Sequence, residues 1–384
     1  MKFEGGQSMS ACGIIFSNIR DENISELTRI RTLASVPFGC RYRLIDFALS
    51  NMVNSNINNI NVITNTNYNS LVDHLGSGKD WDLARRSGGL KIFPPNMLAY
   101  FGGVAKYETR LGALCAISAV IESMKDDYVV LSDCDVICNI DFGAVIDEHI
   151  KSGADMTFLV KNMSVDRETA RRNSFVRSDA GGRITDILVH PRDFSGSGDM
   201  LLNMIVVSKK YLYEVVCDAQ VHNYTSISVD VIARNMNVKN YRIYRCDGHF
   251  ACISSLEHYF SENMALINDK SVYSELFGVK NRPIYTKVRN SAPTYYSKDS
   301  SVINSTVADG CVIEGEIENC VLFRGVKIGR GAKVKNSILF QDVYVGENSD
   351  LAYVIADKNV VVRDGRTLCG CESLPFYIEK GKLI

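Results

Sequence analysis

Arg29, Arg31, Arg41 and Arg43 form the densest basic cluster of the chain. A guanidinium donates two parallel hydrogen bonds to a phosphate, so such a cluster can grip an anionic ligand. It can equally be a solvated or interface-facing charge set, and the spacing leaves both readings open. Phosphate chemistry has a second natural place, the turn after the apolar, strand-length run Cys12-Gly13-Ile14-Ile15-Phe16. Glycines there let backbone N–H groups approach phosphate oxygens. Here the turn reads Ser17-Asn18-Ile19-Arg20-Asp21-Glu22-Asn23, with no glycine and two adjacent acids that would repel a triphosphate. His74, His190, His222 and His249 show no nucleophile–base spacing and read as structural or surface residues. Among twelve cysteines, Cys134 and Cys138 are four apart and Cys369 and Cys371 two apart, but neither pair has the partners of a zinc site. All twelve read as free buried thiols of a reducing compartment. Trp81, the single tryptophan, reads as a core or interface anchor.

The elements that would position these residues fall into two regions. A chain of 384 residues exceeds one ordinary core. A net charge of -1 exerts no long-range pull on nucleic acid or acidic membranes. No apolar run has the length of a membrane-spanning helix, and Met1–Ser10 lacks a signal-peptide pattern, so a cytoplasmic protein is expected. Up to about residue 275, strand-like runs (Cys12–Phe16, Ile60–Ile63, Tyr128–Leu131) alternate with helical stripes over Leu111–Met124 and Phe142–Ile150, the latter with Asp141 as N-cap. That alternation predicts a Rossmann-like, mostly parallel sheet under helices, with ligands at the carboxyl ends of its strands. Gly181-Gly182-Arg183 is expected as a turn between strands and Gly196-Ser197-Gly198 as a flexible loop. From Ser301 onward, small and aliphatic residues recur every sixth position: Val326, Ala332, Ile338; Ile328, Val334, Phe340; Ser349, Ile355, Val361. This period predicts a parallel β-helix. The expected domains are 1–280 and 281–384, with Pro283–Pro293 as the crossover.

The block Val36-Pro37-Phe38-Gly39-Cys40-Arg41-Tyr42-Arg43-Leu44-Ile45-Asp46-Phe47-Ala48-Leu49-Ser50-Asn51 closely resembles glucose-1-phosphate adenylyltransferases, the ADP-glucose pyrophosphorylases. The likeness continues through Leu131-Ser132-Asp133-Cys134-Asp135-Val136, Ser255-Leu256-Glu257-His258-Tyr259 and Pro283-Ile284-Tyr285-Thr286-Lys287, essentially the full chain. It implies a nucleotidyltransferase domain followed by a left-handed β-helix, in a tetramer under allosteric control. The family joins ATP and glucose 1-phosphate into ADP-glucose, releasing pyrophosphate, with Mg²⁺ held by carboxylates. That chemistry rests on positioning and charge neutralisation.

Most of the family's substrate-facing positions are altered. Its glycine-rich loop falls on Ser17–Asn23, its phosphate lysine on Leu33, and its base-pocket segment on Thr109-Arg110-Leu111-Gly112-Ala113. Its sugar-phosphate Glu-Lys-Pro falls on Val189-His190-Pro191. Asp135 retains one metal carboxylate and Asp230 one acid of a two-acid segment; both read as vestigial, with Asp135 a weak metal candidate. The resemblance assigns Arg31, Arg41 and Arg43 to anion-effector contacts, for a sugar phosphate or phosphate. The pattern is similar to a D-type regulatory subunit working beside a catalytic paralogue in a heterotetramer, inactive alone and holding no cofactor itself. The competing readings are a self-sufficient sugar-1-phosphate nucleotidyltransferase with an altered phosphate loop, and a sugar-nucleotide-binding module. A β-helix acyltransferase is disfavoured because no histidine follows His258.

Overall fold

The computed structural model describes residues 10–95, 97 and 107–384; residues 1–9, read above for a signal pattern, lie outside them. The chain packs into two compact units. The first comprises the chain through Ile19, Phe47–Cys252 and Asn281–Pro283; the second comprises Arg20–Asp46, Ile253–Lys280 and Ile284–Ile384. Arg20–Asp46 and Ile253–Lys280 therefore belong to the compact unit that contains the β-helix, whereas the expected 280/281 division put them on the other side.

The first unit is built on a nine-stranded sheet. Gly89–Phe93, Asn59–Ile63, Ala11–Phe16 and Tyr128–Asp133 run parallel in that order. The inner strands carry buried apolar runs such as Ile14–Phe16 and Val129–Leu131, whereas Gly89–Phe93, at the sheet edge, exposes Lys91. The long strand Gly196–Ser208 then pairs antiparallel with Tyr128–Asp133 and, along its other edge, with Met156–Val165. Tyr241–Arg245 closes parallel to Met156–Val165. Gly196-Ser197-Gly198 is thus the start of a strand rather than a loop. A side chain at position 198 would come within 2.7 Å of the Phe194 ring, which accounts for that glycine. The Leu111–Met124 stripe divides into two helices, Arg110–Ala116 and Ser118–Ser123, because Ile117 leaves helical geometry at φ -109°, ψ 22°. Asp141 caps Phe142–Ser152 by accepting from Gly143 N at 2.8 Å. Trp81 is 1% exposed, with the buried His74 ring edge-on at 5.6 Å.

In the second unit three five-stranded parallel sheets form the faces of a left-handed β-helix. Most corners need left-handed backbone, and asparagine and glycine supply it. Asn304, Asn319 and Asn336 sit at equivalent corners with φ of 41°, 52° and 45°, and their amides stack in a ladder at 2.6 and 3.2 Å. Tyr353 takes the next rung at φ 54°. Successive coils are mostly offset by 17 residues, as from Asn319 to Asn336, with a step of 15 from Asn304 to Asn319 and a last step of 22 from Val354 to Phe376. A 17-residue coil shortens one six-residue step in three, so the inward position after Ser349 is Val354 rather than Ile355, and the next is Val360, fully buried, leaving Val361 36% exposed. Inside, aliphatic residues from Ile313 to Ile378 fill the core. Buried Ser337 is satisfied by donating to Lys335 O at 2.7 Å and accepting from Val354 N at 3.1 Å.

Candidate functional site

At the carboxyl end of the parallel strands Phe16 lies beside Asp133, and Ser17 N donates to Ile63 O at 3.1 Å. Ligands of such sheets bind at this end. The loop here is held by side chains: Tyr107 Oη donates to Asn18 Oδ1 at 3.3 Å, and Asn65 Nδ2 donates to Tyr107 O at 3.1 Å. Thr109 caps the next helix by accepting from Gly112 N at 3.1 Å, which aims its first residue, Arg110, at the sheet. Arg110 Nε donates to both oxygens of Asp133, at 2.8 and 3.0 Å, and Nη2 donates to Oδ2. Asp133 is 3% exposed and Arg110 25%. The carboxylate at the ligand end of the sheet is thus neutralised by a cation of the chain itself. Sequence reasoning missed this pair, reading Arg110 only as a departure from a family segment; a new arginine facing a strand-end acid was the available signal.

The two acids expected to be vestigial, Asp135 and Asp230, are placed apart. Asp135 is 1% exposed and accepts from Cys252 Sγ at 3.1 Å, across the pairing of Val136–Cys138 with Phe250–Cys252. Asp230 accepts from Thr225 N and Ser226 N, each at 3.0 Å, and lies 3.5 Å from Arg234. Those backbone donors, Ser226 foremost, hold its carboxyl below the usual range. Asp230 therefore pins the entry to its own helical turn. Magnesium calls for several oxygen ligands in octahedral array. The donor set fits it poorly: Arg110 neutralises Asp133, Cys252 Sγ donates to Oδ2 of Asp135, and Oδ2 of Asp230 accepts from backbone amides. Asn51, the last residue of the long motif, is structural: Nδ2 donates to Cys138 O at 3.0 Å and Oδ1 accepts from Ile140 N at 3.1 Å.

In the second unit Asp21 folds inward. Its Oδ1 accepts from Leu33 N at 2.8 Å, and burial pushes its carboxyl up to about 7. Of the adjacent acids, only Glu22 is exposed. The hairpin Pro37–Phe38/Tyr42–Arg43 turns through Gly39 and Cys40, at φ 55° and 75°, and packs on the helix Leu256–Asn268. Tyr259 Oη donates to Pro37 O at 2.5 Å, and Gly39 N donates to Asn263 Oδ1 at 3.0 Å.

The predicted effector arginines have different settings. Arg31 is buried; Nη2 donates to both oxygens of Asp357, at 2.7 and 2.8 Å, while Nη1 has no hydrogen-bond partner. Asp357 also accepts from Tyr377 Oη at 2.9 Å. Arg43 is buried, and its backbone N donates to Asp46 Oδ2 at 3.0 Å. Arg41 is exposed over the Tyr42 ring at 5.8 Å. Lys358, next to Asp357, reports the local field. Burial first, then the positive charges of Arg43 and Arg31, pull its ammonium down to about 7, with Lys380 adding to them and Asp357 opposing. Arg31, Arg43 and Lys380 thus all act on Lys358, with Asp357 opposing them; Arg41 is not among the charges acting on Lys358. Arg29 pairs instead with Glu379 at 2.8 Å.

Fold and site together define a nucleotidyltransferase-type sheet unit in one chain with a left-handed β-helix. Residues 22–227 match the nucleotidyl transferase family, and residues 292–372 match the GlmU-like, C-terminal hexapeptide family. The chain is 34% identical over 373 residues to the glycogen biosynthesis protein GlgD of Bacillus subtilis (strain 168), covering 96% of this chain and 95% of that protein. It is 37% identical over 325 residues to the GlgD of Geobacillus stearothermophilus, covering 84% and 82%. Against the glucose-1-phosphate adenylyltransferase of Geobacillus stearothermophilus it is 32% identical over 319 residues, 80% of each chain. The protein belongs to the nucleotidyl transferase family, in the group formed by GlgD and the glucose-1-phosphate adenylyltransferases.

Proposed function

We propose that this chain is a regulatory, non-catalytic subunit of a glucose-1-phosphate adenylyltransferase in bacterial glycogen biosynthesis, acting in the cytoplasm. The observation that carries the reading is Arg110 seated on Asp133 at the ligand end of the sheet. Three features add to it: no glycine in Ser17–Asn23, Asp135 engaged by Cys252, and Asp230 spent on backbone amides. Losing one transition-state contact costs about two to three orders of magnitude in rate; several together leave little, even though such effects do not add.

The partner is a catalytic paralogue in a heterotetramer, and that paralogue would carry the Mg²⁺ and both substrates. The subunit's own ligand is a sugar phosphate or phosphate, drawn to the neighbourhood of Arg31, Arg43 and Lys358, with Arg41 nearby in sequence. The convergence of Arg31, Arg43 and Lys380 on Lys358 and the orphan Nη1 of Arg31 support this role. Coupling to the catalytic subunit then follows from differential binding of that anion to two states of the assembly.

The test is ADP-glucose formation by the purified chain, alone and mixed with the paralogue, with and without sugar phosphates. The expected result is background alone and an altered rate or effector response in the mixture. Brisk turnover by the isolated chain would establish the self-sufficient enzyme instead. Tight ADP-glucose binding with no effect on a paralogue would establish a binding module.

A further inference from the structure

Eight of the twelve cysteines are buried and two are half-buried; Cys369 and Cys371 are the exposed ones. The expectation of buried thiols therefore fails at this pair. Both stand in the last coil of the β-helix. Cys369 ends the strand Thr367–Cys369, and Gly370 N donates to Ala352 O at 2.9 Å. Cys371 and Leu374 then exchange two backbone hydrogen bonds of 3.1 Å, closing a tight turn. Gly370 is confined: a Cβ there would lie 2.5 Å from Phe376 N and 2.6 Å from Tyr353 O. The link between the thiols is thus a single pinned glycine.

Two residues of chain span at most about 7 Å. The chain itself therefore keeps the Cα atoms close to or within reach of a disulfide, whose outer limit is about 6.8–7 Å. The sulfurs make only weak contacts: Cys369 Sγ to Gly370 O at 3.3 Å, and Cys371 Sγ to Ser373 Oγ at 3.6 Å and Leu374 O at 3.9 Å. Little holds them from solution reagents.

We propose that Cys369 and Cys371 form a dithiol modification site that reacts with low-molecular-weight disulfides and closes to an intrachain disulfide. One cysteine thiolate attacks a sulfur of the reagent RSSR, its S–S bond breaks, and RS⁻ leaves with the electron pair. The second cysteine thiolate attacks the protein sulfur of the mixed disulfide and expels a second RS⁻. The two protons lost by the cysteines end on the two leaving thiolates. The cysteines are oxidised by two electrons and RSSR is reduced to two RSH. Both cysteines are exposed, and an exposed disulfide is readily reduced, so the modification is reversible.

The test uses the full chain in glutathione/glutathione disulfide buffers of graded ratio, with acid trapping, alkylation and mass spectrometry of the peptide spanning 369–371. The expected wild-type product is lighter by two hydrogens, carries no glutathione, and reverts on raising the reduced fraction. Cys369→Ser and Cys371→Ser should each retain glutathione on the remaining thiol. Stable glutathione adducts on the wild-type peptide would overturn the proposal. So would full alkylation of both wild-type thiols at a ratio that modifies the single variants.

Discussion

Arg31 and Asp357 lie 326 residues apart, yet one guanidinium nitrogen reaches both carboxylate oxygens, with side chains 3% and 0% exposed. Removing one partner of a buried pair leaves an uncompensated charge and costs about 3–5 kcal/mol, whereas replacing both with apolar residues is far milder. Asp357→Asn should therefore lower stability by about that amount in urea unfolding followed by circular dichroism. Arg31→Met with Asp357→Leu should recover most of the loss. A wild-type midpoint for the single variant would mean the pair contributes nothing.

Lys358 gives the second unit a pH signature. The folded chain releases this proton near pH 7 and the unfolded chain near the ordinary value of 10.5. Between those values the unfolded state holds more protons, so stability rises with pH, by up to about 1.4 kcal/mol per unit. Lys358→Met should flatten that rise. Unfolding midpoints at about pH 7.5 and about pH 9.5 for both proteins provide the comparison.

The same lysine links anion binding to protons. A bound phosphate favours the charged ammonium, so above about pH 7 binding takes up a proton and affinity falls with rising pH. Calorimetry of phosphate binding in buffers of different ionisation enthalpy reads that uptake. Arg43→Ala should blunt the effector response of the mixed enzyme; an unchanged activation curve would count against the assignment.

Arg110→Ala should strand Asp133. Arg110 is 25% exposed, so a cost of about 2–3 kcal/mol, below the fully buried case, is expected in the same unfolding assay. The variant should still form no ADP-glucose by itself. Activity gained from this one change would make the ion pair the sole block to catalysis.

Asp21 titrates in the opposite sense to a salt-bridged acid. Its folded-state value of about 7 stands above the ordinary 3.8, chiefly from burial. The folded chain therefore holds a proton that the unfolded chain has lost, and stability falls as pH rises between those values. Asp21→Asn keeps an acceptor for Leu33 N and should be more stable than wild type at about pH 8, with the difference vanishing near pH 4. Melting curves at the two pH values check the sign.

Much of the fold was legible locally. Cys12–Phe16, Ile60–Ile63 and Tyr128–Leu131 are strands because unbroken apolar runs suit a sheet covered on both faces, and Asp141 announces its helix by capping. The six-residue repeat revealed the β-helix, but not its 17-residue coil, since a one-residue shortening per turn shows only as a drift from Val361 to Val360. Long-range pairings left no local trace. Arg31 was legible as a candidate anion contact, but its pairing with Asp357 was not, because the two lie far apart in sequence. Gly196 and Gly198 read as a loop because Phe194, which excludes a side chain at 198, was invisible in one dimension. Asp135 and Asp230 stood out as acids shared with the family pattern, while what they bond to left no trace in the sequence.

The lone indole, at position 81, sits deep in only the sheet-bearing half of the molecule. Its emission is therefore a local gauge, silent about the stacked coils. Fluorescence and far-ultraviolet dichroism should trace separate curves wherever one half melts before the other, and a shared midpoint would mark the halves as one cooperative body.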